Sequence, residues 1–284
     1  MANNYITLTI SIPFDYQEFL IAELLDMDFD GFEQDDEQLK AIIPQHRYSD
    51  VTREEVEEWL SLQPYPANII SEQTDEERNW NEEWERSIRP LVIGDFFVKP
   101  TWVNESIPEG KTLLEIDPKM AFGTGYHETT RLMLRLLPSV IQKKDEVLDV
   151  GTGTGILSIA SIKLGAKSAF GFDIDEWSRN NAWENALINK VEKSFQIEEG
   201  SFEVVDPDAQ YDVVLANVNR NALLEMQKPL TTHLKNEGTL VLSGLLENER
   251  DIMLGAPEFS QLKFVSDLQE GEWIALVFTK TPAK

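Results

Sequence analysis

The sequence predicts an α/β layer protein with a mostly parallel sheet, behind a small N-terminal α+β sandwich of ferredoxin-like pattern. Three observations predict it. Strand and helix patterns alternate from residue 96 to the C-terminus. Within Glu146–Leu157 a short apolar strand runs through three glycines directly into an apolar helix. The first 72 residues order their patterns as β-α-β-β-α-β. At 284 residues the chain is long enough to bury a core in each part.

Taken in order, residues 5–12 (YITLTISI) place Ile6, Leu8, Ile10 and Ile12 at period two, which is a strand with one apolar face. Asp15 with Glu18 three residues on signals a helix start, and Phe19, Leu20 and Leu24 continue the helical spacing, with Gly31 beyond its end. Leu39–Ile43 reads as a strand, Thr52 with Glu55 opens a second helix through Trp59 and Leu60, and Ala67–Ile70 reads as the last strand. This defines a domain over residues 1–72. Residues 73–95 are expected to be a linker helix, because Trp80, Trp84 and Ile88 at spacing four share one stripe; the stripe reads as packing onto a neighbouring domain, and Pro90 ends it. Residues 96–284 form the α/β domain, entered through FFVKP, LLEID and a helix at about 128–137.

Composition narrows the function. The chain carries 51 acidic against 25 basic side chains, a formal charge of −26, and residues 1–90 hold 22 acidic and 6 basic of them. A phosphate-backbone binder needs clustered cations, so no direct nucleic-acid partner is expected. The acidic front third instead suits a solvated surface, a field that attracts a basic macromolecule, or both. With no cysteine there is no disulfide framework, thiolate zinc site or cysteine nucleophile, and three histidines supply little for a metal, so none is expected. Neither a signal-like start nor a long apolar run is seen, which predicts a cytoplasmic protein.

The chemistry concentrates around the glycine turn. Gly151, Gly153 and Gly155 follow a strand and precede a helix, so the backbone turns tightly, a ligand approaches without Cβ interference, and the helix start presents free N–H groups. The G-x-G-x-G spacing departs from the dinucleotide fingerprint, and the lysine of a phosphate loop is missing. Asp173 ends a second apolar strand 22 residues after Gly151, where an open α/β sheet places the acid that grips ribose hydroxyls. A bound nucleoside follows, leaving adenosylmethionine and nicotinamide cofactors as candidates. Upstream, the loop MAFGTGYHETT sets Phe122, Gly123, Thr124, His127 and Thr130 over the mouth as a mobile, polar element. Downstream, YDVVLANV is a buried strand ending in Asn217, whose amide both donates and accepts.

The ordered set DPKMAFGTGYHETT, VLDVGTGTGILSIASIKLGA, GFDID, VVLANV and LVLSGLL, behind NWNEEWERSIRP, resembles the bacterial ribosomal protein L11 methyltransferases, a class I S-adenosylmethionine-dependent family. The likeness covers most of residues 75–250, and the AFGTG-x-H-x-TT loop is its most specific part. It implies a Rossmann-like seven-stranded sheet ending in a hairpin, LKFVSDLQEGEWIALVFTK, with the N-terminal domain recognising the ribosomal protein. It places S-adenosylmethionine on Thr130, Gly151, Asp173 and Asn217, with Phe122, Gly123, Thr124 and Gly153 around it. Two departures stand out. Thr152 replaces a frequent cysteine, and Val218-Asn219-Arg220 follows Asn217 where I-L-A is common.

The resemblance implies transfer of methyl groups to lysine side-chain and N-terminal α-amines of a basic large-subunit ribosomal protein. Methyl transfer from a sulfonium needs alignment and water exclusion and no covalent nucleophile, so Asn217 is the expected catalytic residue, orienting the acceptor amine. His127 reads as a loop residue that holds the glycine turn, with a general base as its other role. Methylation of another protein or a small molecule, and a non-catalytic ribosome-assembly module, remain alternative functions; the glycine spacing disfavours a nicotinamide oxidoreductase.

Overall fold

The computed structural model describes residues 4–75, 88–119 and 121–282. The chain divides into two compact units, Met1–Glu83 and Trp84–Lys284. In the first, β1 (Tyr5–Ser11) buries Ile6, Leu8 and Ile10 on one face. Helices α1 (Phe14–Asp26) and α2 (Asp50–Ser61) cover that face with Leu20, Leu24, Val56 and Leu60. The other strands are β2 (Gly31–Gln34), β3 (Gln38–Pro44) and β4 (Asn68–Asp75). The sheet order β2-β3-β1-β4, antiparallel throughout, is the ferredoxin-like arrangement expected.

Local details differ from the sequence reading. β2 carries little apolar signal because only Phe32 among its four residues is hydrophobic, and it is paired into place by β3. α1 starts behind Pro13, which offers no side-chain cap, so the helix begins at Phe14 and Asp15 is its second residue. α2 is capped by Ser49, whose hydroxyl accepts from the Thr52 N–H while Thr52 Oγ1 accepts from the Ser49 N–H, which puts the start one turn earlier than Thr52. β4 continues through Asp75, past the end of the expected 1–72 domain. Trp80 and Trp84 of the expected linker helix lie outside the described residues; Ile88, the third member of the stripe, is buried.

The second unit opens with a three-stranded sheet, β5 (Leu91–Ile93), β6 (Phe96–Lys99) and β7 (Thr112–Glu115). Residues 91–93 are thus strand, inside the 73–95 segment expected as the linker and just past Pro90. α3 (Glu128–Val140) leads into the main sheet. Its elements are β8 (Glu146–Val150), α4 (Ile156–Leu164), β9 (Ser168–Asp173), α5 (Glu176–Ile188), β10 (Phe195–Glu199) and β11 (Tyr211–Asn217). After them come α6 (Arg220–Glu225), α7 (Gln227–Thr232), β12 (Leu234–Leu246), α8 (Arg250–Leu254), β13 (Lys263–Glu270) and β14 (Trp273–Thr279).

Seven strands line up as β10-β9-β8-β11-β12-β14-β13, parallel from β10 to β12, with β14 antiparallel to both neighbours. This is the Rossmann-like seven-stranded sheet expected, closed by a C-terminal hairpin. Continuous apolar strands follow from burial on both faces. Val213 and Leu215 of β11 pack with Leu132, Ile159 and Ala182 on one side, while Val214 and Ala216 pack with Leu223, Leu230 and Met253 on the other. The connection direction reverses between β8 and β11, and the crevice beyond their carboxyl ends is where such sheets bind ligands. Among the described residues no helix is long and apolar enough to cross a membrane.

Candidate active site

The glycine turn after β8 is held by main-chain bonds. The N–H groups of Gly151 and Thr152 both donate to the Phe172 carbonyl, each at 3.0 Å, which ties the turn to the end of β9. Gly153 has φ +55, and a Cβ there would run into the Phe122 carbonyl oxygen, so only glycine allows the upstream loop to approach. That loop is fastened and not free. The Thr154 N–H donates to the Phe122 carbonyl at 2.8 Å, and its Oγ1 donates to the Gly123 carbonyl at 2.6 Å. Beneath the turn, Thr152 Oγ1 and Ser158 Oγ donate to Asp149 Oδ2 at 2.8 and 2.7 Å. Burial pushes the Asp149 carboxyl above the ordinary carboxylate range, against the lowering effect of those two hydroxyls.

Asp173 is fixed in turn. Its Oδ2 accepts the Gly153 N–H at 2.9 Å and its Oδ1 the Asp175 N–H at 3.1 Å, so each oxygen keeps one lone pair for a further donor. At the end of β11, Asn217 Oδ1 is buried with no hydrogen-bond partner. A buried acceptor left unpaired costs about 1–3 kcal/mol, which marks a place for an incoming donor. Between these groups lies a cavity of about 510 Å³, within the size range of small-molecule sites. Asp173 is the one carboxylate on its lining among the described residues, and neither lysine nor arginine lines it. The acid, the open acceptor and the apolar walls of Val150, Phe172, Ile174 and Met226 fit a nucleoside carrying an amino-acid tail.

A family model described as ribosomal protein L11 methyltransferase (PrmA) matches residues 17–281. The chain belongs to the ribosomal protein L11 methyltransferase family. Among its relatives, the "Ribosomal protein L11 methyltransferase" of Porphyromonas gingivalis is 35% identical over 280 residues, covering 98% of this chain and 94% of that one. The Nitratiruptor protein of the same name is 32% identical over 283 residues, covering 98% and 96%. The crystal structure of a ribosomal protein L11 methylase from Lactobacillus delbrueckii subsp. bulgaricus superposes with a TM-score of 0.63 at 28% identity, over 69% of this chain and all of that one. The family resemblance seen in the motifs is therefore real.

Of the residues expected from the sequence, this family member brings Phe122, His127, Gly151, Gly153, Asp173 and Asn217 onto the cavity wall. Thr130 is fully buried inside α3 with its hydroxyl unpartnered, and its neighbour Thr129 lines the cavity. Gly123 spends its carbonyl on Thr154, and Thr124 lines a separate small pocket beside Arg89 and Tyr126. His127 caps α3, its Nδ1 accepting from the Thr129 N–H at 3.3 Å, where the sequence reading had it holding the glycine turn. Its ring lies 4.7 Å from Trp273 and 5.3 Å from Phe122. Trp273 and Gly244 were missed: both belong to the last strands and reach the cavity only through sheet pairing. Ile174 did leave a signal in its place directly after the strand-end acid; it is 81% exposed and forms part of the cavity wall.

Proposed function

We propose that this protein methylates lysine side-chain and N-terminal α-amines of ribosomal protein L11, with S-adenosylmethionine as the methyl donor. The observation that carries the reading is the pairing of a main-chain-fixed Asp173 with a buried, partnerless Asn217 Oδ1 across one cavity in a member of this family. Bound there, S-adenosylmethionine supplies a methyl group on a cationic sulfur, already activated for displacement by nitrogen. Asp173 accepts the two ribose hydroxyls. The glycine turn, Gly151 to Gly153, admits the cofactor close to the backbone, and Phe122 and His127 of the upstream loop cover it.

Asn217 orients the acceptor by taking a hydrogen bond from the amine N–H, which points the nitrogen lone pair at the methyl carbon. The nitrogen gains the methyl group as the carbon–sulfur bond breaks, and the surplus proton leaves to water. A lysine of ordinary pKa ~10.4 enters as a cation, and an apolar cavity without a carboxylate at the acceptor end favours its neutral form. The acidic N-terminal unit serves as the recognition module for a basic ribosomal protein, in the cytoplasm and without direct nucleic-acid contact.

The test is mass spectrometry of purified L11 after incubation with the protein and S-adenosylmethionine, with calorimetric titration of the cofactor alongside. Methyl increments on lysine and N-terminal peptides are expected, and none at saturating cofactor refutes the reading. Asp173→Ala is expected to weaken cofactor binding by about 1.5–3 kcal/mol, the value of hydrogen bonds to a charged group. An unchanged dissociation constant would locate the ribose elsewhere.

A further inference from the structure

We infer that Gly244 is a positioning residue for the acceptor end of the cavity: its missing side chain lets the Val218 main chain lie against β12 and so sets where Asn217 points. The inference rests on the methyl-transfer reading above. Gly244 sits in the left-handed region at φ +82, and a Cβ there would run into the Val218 carbonyl oxygen, with the Val218 carbonyl carbon at 2.6 Å and its nitrogen at 3.0 Å. All three are main-chain atoms, so no rotamer change relieves the clash. From the other side, a Cβ on Gly151 would lie 2.6 Å from Val218 Cγ1. Val218 is thus seated between two glycines, and all three residues line the cavity with Asn217.

Strand pairing explains why the glycine stands at this point. The β11–β12 ladder ends on Asn217 opposite Ser243, one residue before Gly244. The β12–β14 register then breaks between Leu242 and Leu245 and resumes with Leu245 opposite Ile274 and Leu246 opposite Trp273. A bulge of this kind re-aims the chain, and glycine is the residue that accepts its dihedrals. One irregularity therefore places two parts of the wall: the Asn217-Val218 turn directly, and Trp273 through the resumed pairing. Neither Asp173 nor the glycine turn's own hydrogen bonds depend on it.

The test uses the full chain with Gly244→Ala. A misplacement on the order of 1 Å at a reacting centre costs about a hundredfold; we expect kcat for L11 methylation to fall at least about tenfold. The dissociation constant of S-adenosylhomocysteine is expected to change by less than about threefold, because the Asp173 grip is untouched. The side-chain amide signals of Asn217 in a nitrogen-15 spectrum, assigned through Asn217→Ser, are expected to shift. Should Gly244→Ala not fold, Val218→Gly probes the same seat by freeing its main chain without adding an atom, and the same kcat-selective loss is expected. An unchanged kcat, or kcat and cofactor affinity falling together, overturns the role. If the wild-type protein itself leaves L11 unmethylated, the underlying reading fails instead, and an unmoved Asn217 signal in Gly244→Ala then overturns the positioning role independently.

Discussion

Thr154 is fully buried and does not line the cavity, yet it joins the two segments that do. Its N–H and hydroxyl hold the carbonyls of Phe122 and Gly123, and its own carbonyl accepts from Asn185 Nδ2 at 3.0 Å. Thr154→Val keeps the shape and removes only the hydroxyl bond, which strands the Gly123 carbonyl. It is expected to raise the S-adenosylmethionine dissociation constant about tenfold, or ~1.4 kcal/mol, with Thr154→Ser restoring most of the affinity in the same titration. Full affinity in Thr154→Val with a loss in Thr154→Ser would show that the methyl group of Thr154, and not its hydroxyl, matters. The glycines and Asp173 were legible at this scale because local backbone demands and strand ends are written in the chain. Thr154 was not, because its partners lie 31 or 32 residues away, Phe122 and Gly123 upstream and Asn185 downstream.

Single elements are tied together by buried polar groups. Asp149, in the middle of the sheet, accepts from Thr152 in the glycine turn and from Ser158 in α4, so one carboxyl links strand, turn and helix. Because burial raises its folded pKa above the unfolded value, the folded chain binds more protons than the unfolded one between those two values. Asp149 thus contributes most to stability when protonated, and that contribution is lost as pH rises from the ordinary carboxylate range through the raised folded value. Asp149→Asn removes the titration. Its stability relative to wild type, measured by urea unfolding at a series of pH values, is expected to improve as pH rises from about 4, where an unperturbed Asp titrates. A pH-independent difference would show that the carboxyl is not shifted. Asn185 on α5 and Asn189 just past its end do similar work for the end of β7 and the residues after it: Asn185 Oδ1 accepts from the Asp117 N–H at 2.9 Å, and Asn189 Nδ2 donates to the Glu115 carbonyl at 2.6 Å.

For the molecule as a whole, charge is the dominant long-range property. The acidic first 90 residues form a field able to draw in a basic protein, and such attraction is screened over about 8–10 Å at physiological salt. Raising ionic strength is therefore expected to increase KM for L11 several-fold while leaving kcat and the cofactor dissociation constant nearly unchanged. A salt-insensitive KM would remove charge from the recognition step. Steady-state kinetics with L11 at a fixed, saturating cofactor concentration makes the comparison.

The sequence by itself determined the layered fold, the glycine turn and its acid, the asparagine at the end of β11 and the family. Each of these rests on spacing within a strand or turn, or on an ordered set of motifs, and needs no knowledge of what lies across the sheet. Tertiary structure alone decided the rest. It paired β2 into a sheet that four mostly polar residues do not announce, and turned His127 into a helix cap. It also set Thr129 on the cavity in place of Thr130 and brought Gly244 and Trp273 beside Asn217. The paired residues are set by strand register, Gly31 opposite Ile42, Asn217 opposite Ser243 and Leu246 opposite Trp273, and register leaves no periodic trace in either partner.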